Sequence, residues 1–184
     1  MVEFCSMKRR WKVILGFAAL LGLAMGTYVW SMADEEEGMA KMMATVRREF
    51  PRVPQLSTAE LAAWMADKGR PQPQVLDVRE AAEFGVSHLH GALRVEPDAP
   101  AADVLARVDP ARPIVVYCSV GYRSSKLAQR LIEAGGKNVS NLEGSIFSWA
   151  NEGRPLEKDG HPVKTVHPYN AVFGRLLKPV CRAK

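Results

Sequence analysis

Histidine and cysteine are both scarce in this chain of 184 residues, which has four histidines and three cysteines. His88 and His90 alternate and could face the same way on a strand, but no cysteine or carboxylate accompanies them at the spacing of a metal site. The sequence therefore predicts no metal centre. Internal repeats and low-complexity tracts are also lacking, and the length suits one domain of ordinary size together with its terminal segments.

Charge is absent from the 18 residues between Val13 and Trp30. An apolar run of this length is about the minimum that crosses a hydrocarbon core of roughly 30 Å. Basic residues precede it at positions 8–12 and acidic residues follow it at positions 34–37. We therefore expect residues 1–33 to form one N-terminal transmembrane helix. The basic flank predicts that the rest of the chain lies on the extracytoplasmic, periplasmic side of the membrane.

A cleaved signal sequence is the alternative for residues 1–33. Ser31-Met32-Ala33 has small residues where a signal peptidase would cut, whereas the length of the apolar run favours a retained anchor. Of the formal net charge of +5, the residues before Asp34 contribute +3, from four basic residues and one acidic residue. The basic balance thus reflects membrane topology, and no nucleic-acid partner is expected.

Residues 34–55 are predicted to be a linker between the anchor and the domain. The segment begins with acidic residues, continues through Met39, Met42 and Met43, and ends at two prolines. Thioether sulfurs can bind copper, but a short helix leaning on the bilayer is the favoured interpretation. Ser57 and Glu60 have the spacing of a capping box at the start of a helix, so the domain is expected to begin at residue 56.

Short apolar runs alternate with amphipathic stretches from residue 56 to residue 156. Strands are predicted at residues 75–78, 93–95, 114–117 and 139–142, and helices at 80–84, 99–108, 124–134 and 146–151. This alternation predicts an α/β domain with a central parallel sheet flanked by helices, and a site at the carboxyl ends of the strands. Residues 157–184 form a C-terminal extension, which is expected to pack over the domain; a membrane or partner contact is the alternative.

Cys118 follows the run Ile114 to Tyr117 and precedes a short loop that opens directly into a helix. Backbone N–H groups of such a loop, the positive end of the helix and the charge of Arg123 all favour a thiolate over a thiol. A buried structural cysteine is the alternative, but it would have no use for Gly121 and Arg123 beside it. The sequence therefore predicts that Cys118 is a nucleophile.

Four ordered motifs in this part of the chain resemble those of the rhodanese family of sulfurtransferases. They are L-D-V-R-E at residues 76–80 followed by Glu83-Phe84, H-L-H-G-A at residues 88–92, the Cys118 loop, and N-L-E-G-S-I-F-S-W at residues 141–149. The resemblance covers roughly residues 56–156. It departs from the family pattern at Ser87 and Ser145, where the family usually or often has glycine.

The resemblance implies a rhodanese-like fold, and the loop length distinguishes two activities that this fold can host. The spacing from Cys118 to Arg123 is C-x₄-R, whereas the related cysteine phosphatases use C-x₅-R, a longer loop that surrounds phosphate. The shorter loop favours transfer of a sulfane sulfur from thiosulfate or a persulfide to a thiophilic acceptor through a Cys118 persulfide. A non-catalytic, membrane-tethered recruitment or redox-sensing module is the second hypothesis, and a phosphatase is the third.

Each position of the predicted loop, Ser119 to Ser124, is assigned to substrate binding. Gly121 allows close approach of the backbone, Arg123 attracts an anionic donor, and Ser124 is expected to cap the helix. Val120 and Tyr122 are expected at the rim, either as ordinary loop residues or as residues that select the substrate. Asp77 and Arg79 match family positions that support the loop.

The expected partners are a small sulfur-containing anion as donor, a thiol or cyanide-like acceptor, and the membrane, with no cofactor beyond the covalent persulfide. Cys5 is expected to be cytoplasmic, which leaves Cys118 and Cys181 in an oxidising compartment. Cys181 is there either a bystander or a thiol that forms a disulfide with Cys118. In the oxidising compartment a thiol-redox protein is a further candidate partner.

Overall fold

The computed structural model describes residues 35–184, which include no helix long and apolar enough to cross a membrane. The predicted anchor lies outside the described residues, and so does Ser31-Met32-Ala33, the cleavage site of the alternative signal sequence. By their contacts, residues 38–184 form one compact unit. This unit contains the sheet, the helices that cover it and the site.

Five parallel strands form the central sheet, in the order β1-β5-β4-β2-β3. Their bounds are β1 Gln55–Leu56, β2 Gln74–Asp77, β3 Leu93–Arg94, β4 Ile114–Tyr117 and β5 Val139–Leu142. The central strand β4 has the sequence I-V-V-Y and is buried at all four positions, as expected for β-branched and aromatic residues covered on both faces of a sheet. The predicted parallel sheet is confirmed.

Helices cover both faces of this sheet. A helix at residues 35–49, α1, is followed by α2 Thr58–Ala66, α3 Ala81–Phe84, α4 Ala101–Leu105, α5 Tyr122–Glu133 and α6 Ser145–Asn151. Leu127 and Leu131 of α5 belong to one buried cluster, while Leu61 of α2 and Phe147 of α6 belong to the other. The predicted capping box at Ser57 and Glu60 is present at the start of α2.

The segment predicted to be a linker is instead part of the packed domain from residue 38 onward. Met39, Val46, Phe50 and Val53 are all buried in the two core clusters. Their spacing places them on one side of α1 and in the turn that follows it, where they cover apolar surface of the domain. Burial in this core explains the apolar side chains better than contact with a bilayer does. The strand β1, which directly follows this turn, was not predicted.

The C-terminal extension packs on the domain, as expected. It contains a hairpin of β6 Leu156–Lys158 and β7 His161–Val163, then two 3-10 helices at Phe173–Leu176 and Pro179–Cys181. Val166 and Leu177 are fully buried. The Val166 N–H donates to the carbonyl of Cys181 at 2.8 Å, which ties the middle of the extension to its last 3-10 helix.

Candidate active site

Cys118 lies at the carboxyl end of β4, where the central strand of the sheet passes into a loop. Its thiol is almost completely buried, with 1% of the residue exposed. The Gly121 N–H donates to Sγ at 3.2 Å, and the hydroxyl of Ser124 lies 3.4 Å from the same sulfur. The sulfur therefore lies at the bottom of a cup formed by its own loop.

Gly121 closes this loop and begins α5. Its φ of +105° lies in the left-handed region that favours glycine, and a Cβ at this position would lie 3.3 Å from Nδ2 of Asn141. Helix α5 starts at the next residue, so its unpaired first-turn N–H groups lie close to Cys118 in sequence. The expected role of Gly121, close approach of the backbone, fits this geometry.

Ser124 does not cap the helix, in contrast to the prediction. Gly121 occupies the N-cap position, and Ser124 is buried in the first turn of α5. Its hydroxyl donates to Oδ1 of Asn141 at 2.6 Å, and Nδ2 of Asn141 donates to Oε1 of Gln55 at 2.7 Å. A chain of side chains thus runs from the edge strand β1 to the sulfur of Cys118.

Ser145 holds the backbone of Cys118 from the other side. Its hydroxyl accepts a hydrogen bond from the Cys118 N–H at 3.2 Å and donates to the carbonyl of Leu142 at 3.0 Å. Its φ of +51° is uncommon for a residue other than glycine. This departure from the family pattern therefore lies in contact with the catalytic loop.

Arg123 is fully engaged by its neighbours. Its Nη1 and Nη2 donate to the two carboxylate oxygens of Glu83 at 2.8 Å each, and Nη2 also donates to Oγ of Ser119 at 3.0 Å. The Ser119 hydroxyl in turn donates to Glu83 at 2.9 Å. Arg123 is therefore a loop-bracing residue as well as a positive charge, a role that the sequence did not indicate.

The pair of Glu83 and Arg123 is charged on both sides. Burial alone would raise the pKa of the Glu83 carboxyl, but the hydrogen bonds and charge of Arg123 outweigh it, so that this pKa is lowered. Burial would likewise lower the pKa of Arg123, yet the hydrogen bond to Glu83 leaves it raised. A fixed ion pair thus borders the loop.

Asp77 and Arg79 form a buried ion pair close to the ring of Tyr117. Nη2 of Arg79 donates to Oδ2 of Asp77 at 2.7 Å and to the carbonyl of Ser87 at 2.6 Å, with both side chains fully buried. Tyr117, next to Cys118, accepts a hydrogen bond from the Leu89 N–H at 3.1 Å. Burial raises the pKa of the Tyr117 hydroxyl, which keeps it neutral. These contacts fit the supporting role that the sequence assigned to both residues.

His88 and His90 both lie near the carboxylate of Glu157. Nδ1 of His88 is 3.7 Å from it and Nδ1 of His90 is 2.6 Å from it. The ring of His88 also stacks on Phe84, with the centroids 4.1 Å apart. The sequence did not reveal this carboxylate because it lies 67 positions beyond His90. No group of three or more potential metal-ligating side chains occurs among residues 35–184.

A cavity of about 300 Å³ lies at Cys118 and is lined by both ends of the described chain. The loop contributes Cys118, Ser119, Val120, Tyr122 and Arg123; α1 contributes Met42 and Thr45; the extension contributes Tyr169 and Phe173. Val120 and Tyr122 thus line the cavity together with Cys118, and their role in selecting the substrate stays a prediction. The sequence did not identify the four residues from α1 and the extension because they lie far from the recognisable motifs.

Cys181 is in no disulfide, and neither is Cys118. Cys181 is buried in the core cluster that contains Leu61 and Phe147, whereas Cys118 belongs to the other cluster. Its Sγ donates to the carbonyl of Ala150 at 3.4 Å. The arrangement favours the bystander interpretation of Cys181 over the disulfide with Cys118.

Comparison with known proteins finds a matching family and relatives of similar sequence. The family model for the rhodanese-like domain matches residues 57–152, just over half of the chain. The chain is 30% identical over 101 residues to a probable adenylyltransferase/sulfurtransferase, MoeZ, of Mycobacterium tuberculosis, covering 54% of this chain and 25% of that protein. It is 31% identical over 101 residues to a tRNA uridine(34) hydroxylase of Yersinia enterocolitica, covering 52% and 28%.

Solved structures show the same fold. A rhodanese-like domain protein from Staphylococcus aureus superimposes with a TM-score of 0.50 at 27% identity, covering 59% of this chain and 100% of that one. A thiosulfate sulfurtransferase from Pseudomonas aeruginosa gives a TM-score of 0.55 at 24% identity, covering 75% and 26%. The chain spans only about a quarter of the length of the curated relatives described above.

Proposed function

Because this chain belongs to the rhodanese-like domain family, we propose that it is a sulfurtransferase that carries a sulfane sulfur on Cys118. The observation that carries the proposal is the cup around Sγ, in which the Gly121 N–H donates to the sulfur at 3.2 Å. The sulfurtransferase in the name of the M. tuberculosis relative supports it. The hydroxylase name of the Yersinia relative shows that the domain also occurs in proteins named for other reactions.

In the first half-reaction the Cys118 thiolate attacks the outer sulfur of the donor. With thiosulfate, a new S–S bond forms to Cys118 while the S–S bond of the donor breaks, and sulfite leaves with that bond's electron pair. The enzyme then holds the persulfide Cys118–S–S⁻. The N–H groups of the loop and of the first turn of α5 are the groups available to stabilise the terminal sulfur anion.

In the second half-reaction a thiophilic acceptor attacks the terminal sulfur of the persulfide. With cyanide, a C–S bond forms, the S–S bond to Cys118 breaks, and thiocyanate leaves while the Cys118 thiolate is restored. The cycle consumes no oxidant or reductant, and we propose no cofactor beyond the covalent sulfur. Two serines position Cys118 in both half-reactions. Ser124 contacts its Sγ, and Ser145 accepts a hydrogen bond from its backbone N–H.

The length of the loop favours this reaction over phosphate-ester hydrolysis. Four residues separate Cys118 from Arg123, and the sulfur is almost completely enclosed by the loop that they form. The guanidinium of Arg123 is held by the carboxylate of Glu83 at 2.8 Å. A cup of this kind suits one added sulfur atom better than a tetrahedral phosphate.

We also propose that residues 1–33 tether the domain to the membrane, with Cys118 on the extracytoplasmic side. The support is the charge pattern alone: an uncharged run of 18 residues, with basic residues before it and acidic residues after it. In that setting a small sulfur-containing anion, and a thiol or a thiol-redox protein, are the proposed donor and acceptor.

Intact-mass analysis of the purified protein after exposure to thiosulfate or polysulfide tests the function. Wild type should gain the mass of a single sulfur, and cyanide should remove it as thiocyanate. Cys118→Ser should gain nothing, because a hydroxyl is a far weaker nucleophile at neutral pH. Cys181→Ser is the matched control and should still be loaded. An added sulfur that persists in Cys118→Ser would overturn the proposal.

A further inference from the structure

We propose that the preferred sulfur donor is an organic monoanion, such as a persulfide or thiosulfonate, whose apolar or aromatic group occupies the cavity in front of Cys118. The inference rests on the proposed sulfurtransferase function and specifies the class of its substrate. Its basis is that two segments outside the family match build an apolar wall over the nucleophile. A small inorganic dianion would leave that wall unused.

The wall comes from opposite ends of the described chain. Met42 and Thr45 lie on α1, and Tyr169 and Phe173 lie in the C-terminal extension, while the family model covers only residues 57–152. Together with Val120 and Tyr122 they leave a space of about 300 Å³, at the lower end of the range of roughly 300–1,000 Å³ for small-molecule sites. That volume has room for a group the size of a phenyl ring next to the sulfur.

The α1 side of the wall is held by packing. Met42 packs against both core clusters of the domain. At the end of α1, the ring of Phe50 meets Tyr122 of the loop edge-on, with the centroids 5.2 Å apart. Arg47 donates to Glu143 at 2.7 Å, which attaches the helix to the turn after β5. The position of Met42 relative to Cys118 is therefore fixed by contacts on both of its sides.

The side formed by the extension is held by local geometry. Tyr169 has a φ of +63°, an uncommon conformation for an aromatic residue. This conformation places its ring over the guanidinium of Arg123, 4.7 Å from the ring centroid, and edge-on to Phe173 at 5.6 Å. Oδ1 of Asn170 accepts hydrogen bonds from the N–H groups of Val172 and Phe173, which fixes the turn between the two rings.

The charge of the cavity points to the same donor class. Among the lining residues within 35–184, Arg123 alone has a charged side chain, and its guanidinium is paired with Glu83 and covered by the Tyr169 ring. A dianion such as thiosulfate would meet a cation whose charge is partly offset by the carboxylate of Glu83. A monoanion with an apolar substituent loses less hydration on entry and buries apolar area against Met42 and Phe173.

The transfer step balances with such a donor. The Cys118 thiolate attacks the outer sulfur of R–SO₂–S⁻, the bond between the two sulfurs breaks, and the sulfinate R–SO₂⁻ leaves with its electron pair. With a persulfide R–S–S⁻ the leaving group is the thiolate R–S⁻, which takes up a proton from water. In both cases the group R remains in the cavity until the product dissociates.

Two thiosulfonates provide a direct test because they have the same charge and differ only in the apolar group. We expect kcat/KM for benzenethiosulfonate to exceed that for methanethiosulfonate by at least about tenfold, with cyanide as acceptor and thiocyanate as the measured product. The ratio is corrected by the ratio of the uncatalysed rates of the same donors with a small free thiol. It is independent of the fraction of folded enzyme, since both donors are measured on one preparation.

Phe173→Ala and Met42→Ala should each lower the corrected ratio by at least about fivefold. Val172→Ala is the matched control, because Val172 adjoins Phe173 but is 72% exposed and does not line the cavity; its ratio should equal that of wild type. A wild-type ratio near one, or a ratio unchanged in both wall variants, would overturn the inference and leave the sulfurtransferase function standing. Failure of every donor to load Cys118 would instead overturn the function.

Discussion

Arg123 and Glu83 face each other through two hydrogen bonds of 2.8 Å, which join the first turn of α5 to α3 across the catalytic loop. The carboxylate is nearly buried and the guanidinium is about one quarter exposed. Ser119 completes the arrangement by bonding to both partners. The loop between Cys118 and Arg123 is therefore closed at its far end by an ion pair, and two properties of the protein should depend on that pair.

Arg123→Ala should lower kcat/KM for thiosulfate by about 10- to 100-fold, equivalent to the loss of roughly 1.5–3 kcal/mol of charge-assisted contact. It should also lower the free energy of unfolding by about 1–3 kcal/mol, because Glu83 loses its partner while remaining buried. Urea unfolding and steady-state kinetics measure the two effects separately.

The double variant Arg123→Ala/Glu83→Gln separates bracing from substrate attraction. In this variant a neutral amide replaces the Glu83 carboxylate that Arg123→Ala leaves unpaired. Most of the lost stability should therefore return, while the turnover of thiosulfate should stay low. Recovery of turnover together with stability would show that Arg123 acts only through the fold of the loop.

Acid should destabilise the protein partly through Glu83. The pKa of this carboxyl is lowered in the folded state from an ordinary value of 4.5, so its contribution is complete above about pH 4.5 and is lost as the pH falls through the folded-state pKa. Glu83→Gln should therefore lose less stability than wild type between about pH 5 and pH 3. The unfolding midpoint in urea, measured across this range, gives the difference in slope; parallel curves would contradict the prediction.

Gly121→Ala should lower both stability and sulfur transfer. A side chain at a φ of +105° costs on the order of 1–2 kcal/mol, and its Cβ would press on the amide of Asn141 at 3.3 Å. Because the Gly121 N–H donates to Sγ, we expect loading of Cys118 to slow by about tenfold or more. Gly153→Ala is a suitable control, since it shares a positive φ but has open space around it. Equal losses of loading in the two variants would contradict a specific role for Gly121.

A reporter fused after Lys184 should be active outside the cytoplasm, and the protein should remain in the membrane fraction after a high-salt wash. Both expectations follow from the basic residues at positions 8–12 and the acidic residues at positions 34–37. Release of a soluble species beginning at Asp34 would identify Ser31-Met32-Ala33 as a cleavage site. Activity of the reporter in the cytoplasm would place Cys118 in a reducing compartment.

Local patterns in the sequence predict the inner strands of the sheet well. The run I-V-V-Y at residues 114–117 matches β4 because a strand buried on both faces needs little beyond short-range apolar character. A glycine at position 121 is likewise informative in the sequence, because the loop there adopts the positive φ that glycine favours. The capping box at Ser57 depends on residues three positions apart, and such short spacings can be read directly from the sequence.

Contacts between distant segments were not predictable in the same way. Glu83 lies 40 positions before its partner Arg123. Asn141, which accepts the hydrogen bond of the Ser124 hydroxyl, lies 17 positions after Ser124. Serine is a residue type that often caps helices, but Gly121, with its left-handed backbone, occupies the N-cap position of α5. The Ser124 hydroxyl is therefore available for other hydrogen bonds. The role of α1 was missed because its methionines suit a bilayer surface as well as a protein core.

The two outermost strands of the sheet, β1 and β3, are only two residues long. The open hydrogen-bonding edges that a sheet presents to other molecules are therefore short on both sides, and few backbone groups remain to recruit an incoming strand. Such a sheet resists edge-to-edge aggregation because so little of its edge is open to pairing. The short edges are thus a built-in protection against self-association through the sheet.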